Sequence, residues 1–173
     1  IPGLSPAASA IARTFFRLVT RSVRGRVILF TAPLPAFVLA FAWRGRTTEW
    51  IDPAYTGVLV LSVAGLLALM SMSSFLTDQF AVDRAGLTLT FLGPASGVEI
   101  VAGKAIGAMA AFAIPLTIGT VAAVALHPRG SPLLWLGALM CVLAAYLAQS
   151  PVSAVLAAWF PAPFDLTRLR AGN

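Results

Sequence analysis

The chain has 173 residues, of which 59% are hydrophobic and 10% charged, against the ~25% charged residues usual in soluble domains. With a mean hydropathy of +0.90, this composition excludes an ordinary soluble domain and predicts an all-α polytopic transmembrane helical bundle. The net charge of +6 does not point to nucleic acid, because the basic residues gather beside apolar runs, where lipid phosphates and membrane topology account for them.

The chain begins at Ile1 rather than Met and stops just after a basic tail, so it reads as one partial transmembrane domain, a fragment of a longer chain. Ser5-Pro6 predicts a helix start, with Ser as N-cap and Pro at the first helical position. Over 5–25 the pattern is amphipathic. Arg13, Arg17, Arg21 and Arg24 fall on one face, and Ile11, Phe15, Leu18, Val19 and Val23 on the other. A helix of this kind fits in the plane of a membrane interface, apolar face down and cations among lipid phosphates. The immediate run into an apolar stretch argues against a surface helix packed on a soluble domain. A secretory signal cleaved after Ala40-Phe41-Ala42 is disfavoured by the length of the run, by Pro33 and Pro35 within it, and by the three spans that follow.

Four membrane spans are predicted, over 27–43, 54–76, 105–126 and 133–160; the last three are uncharged and exceed the ~18 residues that mark a spanning helix. Pro33 and Pro35 predict a kinked first span, and Pro115 a kink in the third. Trp43 and Trp50 flank the first loop, as interfacial aromatics should. Ser71, Ser73 and Ser74 favour close contact with a neighbouring helix, and Gly103, Gly107 and Ala111 give a weak small-xxx-small signal. In the loop 127–132, His127 reads as a solvated residue. The fourth run is too long for one span and is expected to break, tilt or emerge at Gln149-Ser150-Pro151. Cys141 reads as a small packing residue, and one cysteine cannot build a disulfide framework or a Cys-based metal site.

With four spans, nine of the 12 basic residues fall on one side of the membrane and three on the other. The positive-inside rule then places both ends of the chain and the segment 78–104 in the cytoplasm. In that segment Gly93-Pro94 stops any preceding helix, and Ser96-Gly97-Val98-Glu99 is a capping box that launches the third helix about two turns before the membrane. Lys104 is expected at the phosphate level, its stem along the apolar span. Leu87 to Phe91 fits a strand alternation as well as a helical spacing; a short helix is preferred, since a strand would lack a pairing partner. Asp83 and Arg84, with the apolar edge of Leu87, Leu89 and Phe91, form a compact surface just below the bilayer. A mere connector with solvated charges is the plainer reading. No phosphate-binding loop is present: five residues separate Gly97 from Gly103, and Ala105 replaces the Ser or Thr that would hold magnesium.

The residues DQFAVDRAGL followed by LGPASGVEIVAGK resemble the permease subunits of type-2 ATP-binding-cassette exporters. The bacterial branch carries Asn-x-Phe-Gly-x-Asp-x-x-Gly and then Pro-x-Ser-x-x-Glu-Ile-x-x-Gly-Lys. Phe80, Asp83, Gly86, Pro94, Ser96, Glu99, Ile100, Gly103 and Lys104 match that pattern, whereas Asp78, Ala81 and Val98 depart from it. The opening IPGLSP with its Arg-rich continuation, and the ending WFPAPFDLTRLRAGN, are similar to the flanks of the C-terminal membrane half in the same branch. Ser153-Ala154 and Ala157 depart from the residues usual there.

The resemblance implies that 5–25 is an interfacial elbow helix and that the loop after the second span is a coupling element. Phe80, Asp83, Arg84, Gly86, Leu87, Leu89, Phe91 and Pro94 would then contact a separate ATP-binding-cassette ATPase. It also implies a second permease half or a homodimer, residence in the inner (cytoplasmic) cell membrane, and no cofactor in this chain, ATP and magnesium being held by the partner. A membrane scaffold or anchor is the alternative. An intramembrane lipid-modifying enzyme is less favoured, because the spans offer few polar groups at depth beyond Gln149, Ser and Thr.

Overall fold

The computed structural model describes residues 4–43, 52–77 and 93–159; these are helical apart from short connections, with no strand among them. Ser5 caps α1 (Pro6–Arg21): its backbone is extended and its hydroxyl accepts the Ala8 N–H at 3.2 Å, with Pro6 at the first helical position. The helix ends at Arg21 because Ser22 turns extended, with φ −68° and ψ 142°. Ser22 closes one helix and opens the next: its N–H donates to the Leu18 carbonyl at 3.0 Å, and its hydroxyl accepts the Gly25 N–H at 2.9 Å. A side chain at Gly25 would run into the Val19 carbonyl, so the turn between the helices needs glycine there.

The single amphipathic helix expected over 5–25 is therefore corrected. Arg24 belongs to α2 (Val23–Thr31), off the face that carries Arg13, Arg17 and Arg21, and Val23 is 71% exposed rather than on the packed side.

α2 stops before Pro33 and α3 (Leu34–Trp43) resumes the path. Together they make an interrupted first span, Val23–Trp43. The other candidates are α4 (Pro53–Thr77), α5 (Gly97–Leu126) and α6 (Pro132–Trp159). Four helical stretches are thus long and apolar enough to cross a bilayer, the mark of a multi-pass membrane protein. α5, at 30 residues, measures ~45 Å at 1.5 Å per residue, longer than the ~30 Å hydrocarbon core, so one or both of its ends project beyond it. α6 runs through Pro151 as one helix, so of the break, tilt or emergence expected at Gln149-Ser150-Pro151 the break does not occur. Proline removes one backbone donor, and a membrane helix tolerates that loss when the freed carbonyl finds another donor.

α5 is the hub, contacting every other described helix. α4 lies against it where Gly119 meets Ala64, so close that a Cβ on Gly119 would sit 2.8 Å from the Ala64 Cβ. α6 rests mainly on α4, with Val142 seated over Gly65 and Trp135 over Gly57. The shared core is built from Leu61, Met72, Leu76, Phe112, Leu116 and Tyr146. His127 is half-buried rather than merely solvated. Its Nε2 lies 2.9 Å from the Ala40 carbonyl, which can only accept, so Nε2 carries the proton and ties the loop after α5 to the end of α3. Gly130 makes the turn before α6 at φ +116°, and the Ala54 carbonyl would stand 2.7 Å from a side chain there.

Candidate functional site

The segment that resembles the exporter permeases leads into the start of α5, and α1 begins at the same place. Ser96 is extended, at φ −69° and ψ 154°. Its N–H donates to Glu99 Oε2 at 2.8 Å, and its hydroxyl accepts the Glu99 N–H at 3.3 Å while lying 3.0 Å from the same carboxylate oxygen. The carboxylate thus satisfies a backbone donor at the helix end, where negative charge is favoured. Glu99 has a further partner that the local sequence does not announce: the hydroxyl of Ser5, the N-cap of α1, also hydrogen-bonds its carboxylate. The two helix starts are fastened to one acid.

From that knot α1 and α5 run in the same direction in close contact. A Cβ on Gly103 would lie 2.8 Å from the Ala8 carbonyl, and one on Gly107 2.6 Å from the Ala12 carbonyl. Two small residues four apart on α5 face two small residues four apart on α1, which lets the backbones approach. Phe15 (3% exposed) and Val19 (0%) continue the seam. The apolar face of α1, expected to lie against lipid, is covered by α5. A local reading of amphipathicity says which face is buried but not by what.

Lys104 stands in this region at 2% exposure. It is engaged by a partner and is drawn inward, where an outward, snorkelling side chain was expected. One residue on, the Ala105 carbonyl accepts a hydrogen bond from the Tyr146 hydroxyl at 2.7 Å. Tyr146 also bonds the Ser150 side chain, and its ring stacks on Phe112 with centroids 5.1 Å apart. This small polar pin joins α6 to α5. Arg24 places its guanidinium carbon 5.7 Å from the Phe75 ring centroid, a cation–π contact between α2 and the end of α4.

Of the residues singled out in the sequence, Ser96 and Glu99 come together with Ser5, with exposed Pro94 just before them. Arg13, Arg17 and Arg21 form an exposed row on α1, and Arg24 stands apart from it. Phe80, Asp83, Arg84, Gly86, Leu87, Leu89 and Phe91 lie outside the described residues. The sequence reading missed Ser5 as a partner of Glu99, Tyr146 as an interhelical donor, and His127 as a link to α3. Only the first left a trace, in two serine caps that each precede a helix. Among the described residues no three His, Cys, Asp or Glu side chains gather at metal-ligating distance.

Comparison with protein-family models, with curated proteins and with solved structures returns no match to this chain.

Proposed function

We propose that the chain is a membrane-spanning permease component of an ATP-driven exporter, receiving the motion of a separate ATP-binding-cassette ATPase at 80–93, within the segment 78–104. The observation that carries this reading is the run of matches from Phe80 to Lys104, with Ser96 and Glu99 at the start of a helix that touches every other described helix. A push delivered just before Ser96 would be felt at once by α1 through Glu99 and Ser5, and by the rest of the bundle through α5. Such coupling requires an ATPase whose nucleotide-bound state has different affinities for two permease conformations. In this reading α1 is the interfacial elbow, both ends of the chain are cytoplasmic, the membrane is the inner (cytoplasmic) cell membrane, and a second half or a second copy completes the path.

The test is co-purification and turnover. The ATPase captured with the full chain should be identified, and Asp83→Arg with Arg84→Glu, combined with Leu87→Ala and Phe91→Ala, should uncouple ATP hydrolysis from transport. Retention of both the ATPase and full transport in that variant would remove the contact assignment. Absence of any ATPase from the native complex would remove the exporter reading itself.

A further inference from the structure

The cover that α5 provides for α1 changes what the arginines can do. An interfacial helix ordinarily holds to a bilayer by burying its apolar face among acyl chains. In this chain Ala8, Ala12, Phe15 and Val19 are already spent on α5, and what α1 leaves exposed is a cationic row, Arg13, Arg17 and Arg21, joined by exposed Arg26 on α2. Among the described residues none of the four forms an ion pair. The two described acids are occupied elsewhere: Glu99 binds the two caps, and Asp52 accepts the Ala54 N–H at 2.8 Å. Arg13, Arg17 and Arg21 recur every four residues on one helix face, so these like charges repel one another, and among the described residues no acid offsets them. Only Ser22 separates the α1 arginines from a span whose exposed stripe, Arg26 apart, is apolar, with Val23 at 71%, Val27 at 53% and Phe30 at 64%. The arginines of α1 therefore end where an apolar surface begins, and Arg26 lies within the first turn of α2.

We infer that Arg13, Arg17, Arg21 and Arg26 form a docking surface for anionic phospholipid, its phosphate and headgroup charge on the guanidiniums and its chains along Val23, Val27 and Phe30. Guanidinium suits this role because its planar fork bonds two phosphate oxygens at once. Attachment by charge rather than by an inserted apolar face makes the binding selective for headgroup and weak at high salt. The inference rests on the membrane reading and not on the exporter reading.

The experiment uses the full purified chain in neutral detergent, with fluorescent phosphatidylglycerol and phosphatidylcholine as probes. Phosphatidylglycerol should bind more tightly, with the preference falling by roughly fivefold for each arginine changed to glutamine and shrinking as salt rises from about 0.1 M to about 0.5 M. The variants are Arg17→Gln/Arg21→Gln and the quadruple change; Arg129→Gln, in the loop before α6, serves as the control and should keep the preference. Lysine at the same four positions should keep folding and part of the binding, so a misfolded quadruple glutamine variant leaves the lysine and paired variants to decide. Three results would overturn the proposal: no preference in the wild type, a preference unchanged in the paired variant, or binding of soluble glycerophosphoglycerol as tight as that of the lipid. Lipid selectivity in a chain that captures no ATPase would leave this surface standing and the transport reading fallen.

Discussion

α1 and α6 are held to the same bundle by different means. α1 is held by backbone: glycines on α5 admit the Ala8 and Ala12 carbonyls, and a shared carboxylate pins the two helix starts. α6 is held by side chains, Val142 over Gly65, Trp135 over Gly57, and the hydroxyl of Tyr146. Most of its surface is open, with Leu133 at 78%, Leu147 at 60% and Trp159 at 76% exposure. Helices in a bilayer gain little from hiding apolar surface from one another, since lipid tails are as apolar as leucine; close packing and interhelical hydrogen bonds decide which pairs hold. By that measure α1 is a built-in part of α5, and α6 is an outer helix whose open faces suit lipid or another membrane helix.

The difference should show first at Gly107. Gly107→Val drives a branched side chain into the Ala12 carbonyl and Phe15, and no rotamer relieves a clash with backbone. A loss of about 3 kcal/mol is expected, read as a lowered unfolding midpoint in detergent. Truncating Phe15 as well should not restore it; restoration would mean that the seam is a side-chain contact after all. Gly65→Ala should cost less, about 1–2 kcal/mol, because the added methyl meets both γ-methyls of Val142, a side chain, where Gly107 faces backbone. Here Val142→Ala in the same chain should return most of the loss, and a double-mutant cycle measures the difference between the two seams. The smallest effect is expected from Tyr146→Phe, which keeps the ring on Phe112 and removes only the hydroxyl, with its bonds to the Ala105 carbonyl and the Ser150 side chain. About 0.6 kcal/mol is the scale for such interhelical bonds, and a loss well above it would make this hydroxyl the main fastening of α6.

What the sequence disclosed was local. The apolar runs, the Ser5-Pro6 start and the Ser96 to Glu99 box are written within a few residues of where they act. The interruption at Ser22 was hidden because arginine and apolar spacing continue through Arg24 as though the helix did, and a lone serine reads as well in a helix as at its cap. The spacing of Gly103 and Gly107 signalled close packing, yet its partner, Ala8 and Ala12, is an ordinary alanine pair in a chain full of alanine. Tyr146, His127 and Lys104 act on groups far away in sequence, and residue type alone does not tell which. At the candidate site only the launch of α5 was legible from the residues themselves. The contact surface before it rests on resemblance.

The seam between α1 and α5 also sets an order of events during synthesis. Ala8 and Gly103 are 95 positions apart, and a ribosome adding ~5–20 residues per second needs roughly 5–20 s to make the second after the first. For that interval Phe15 and Val19 have no α5 to cover them, and the lipid boundary beside the nascent first span is the nearest apolar shelter. The apolar face of α1 is thus without its final cover until α5 has been made.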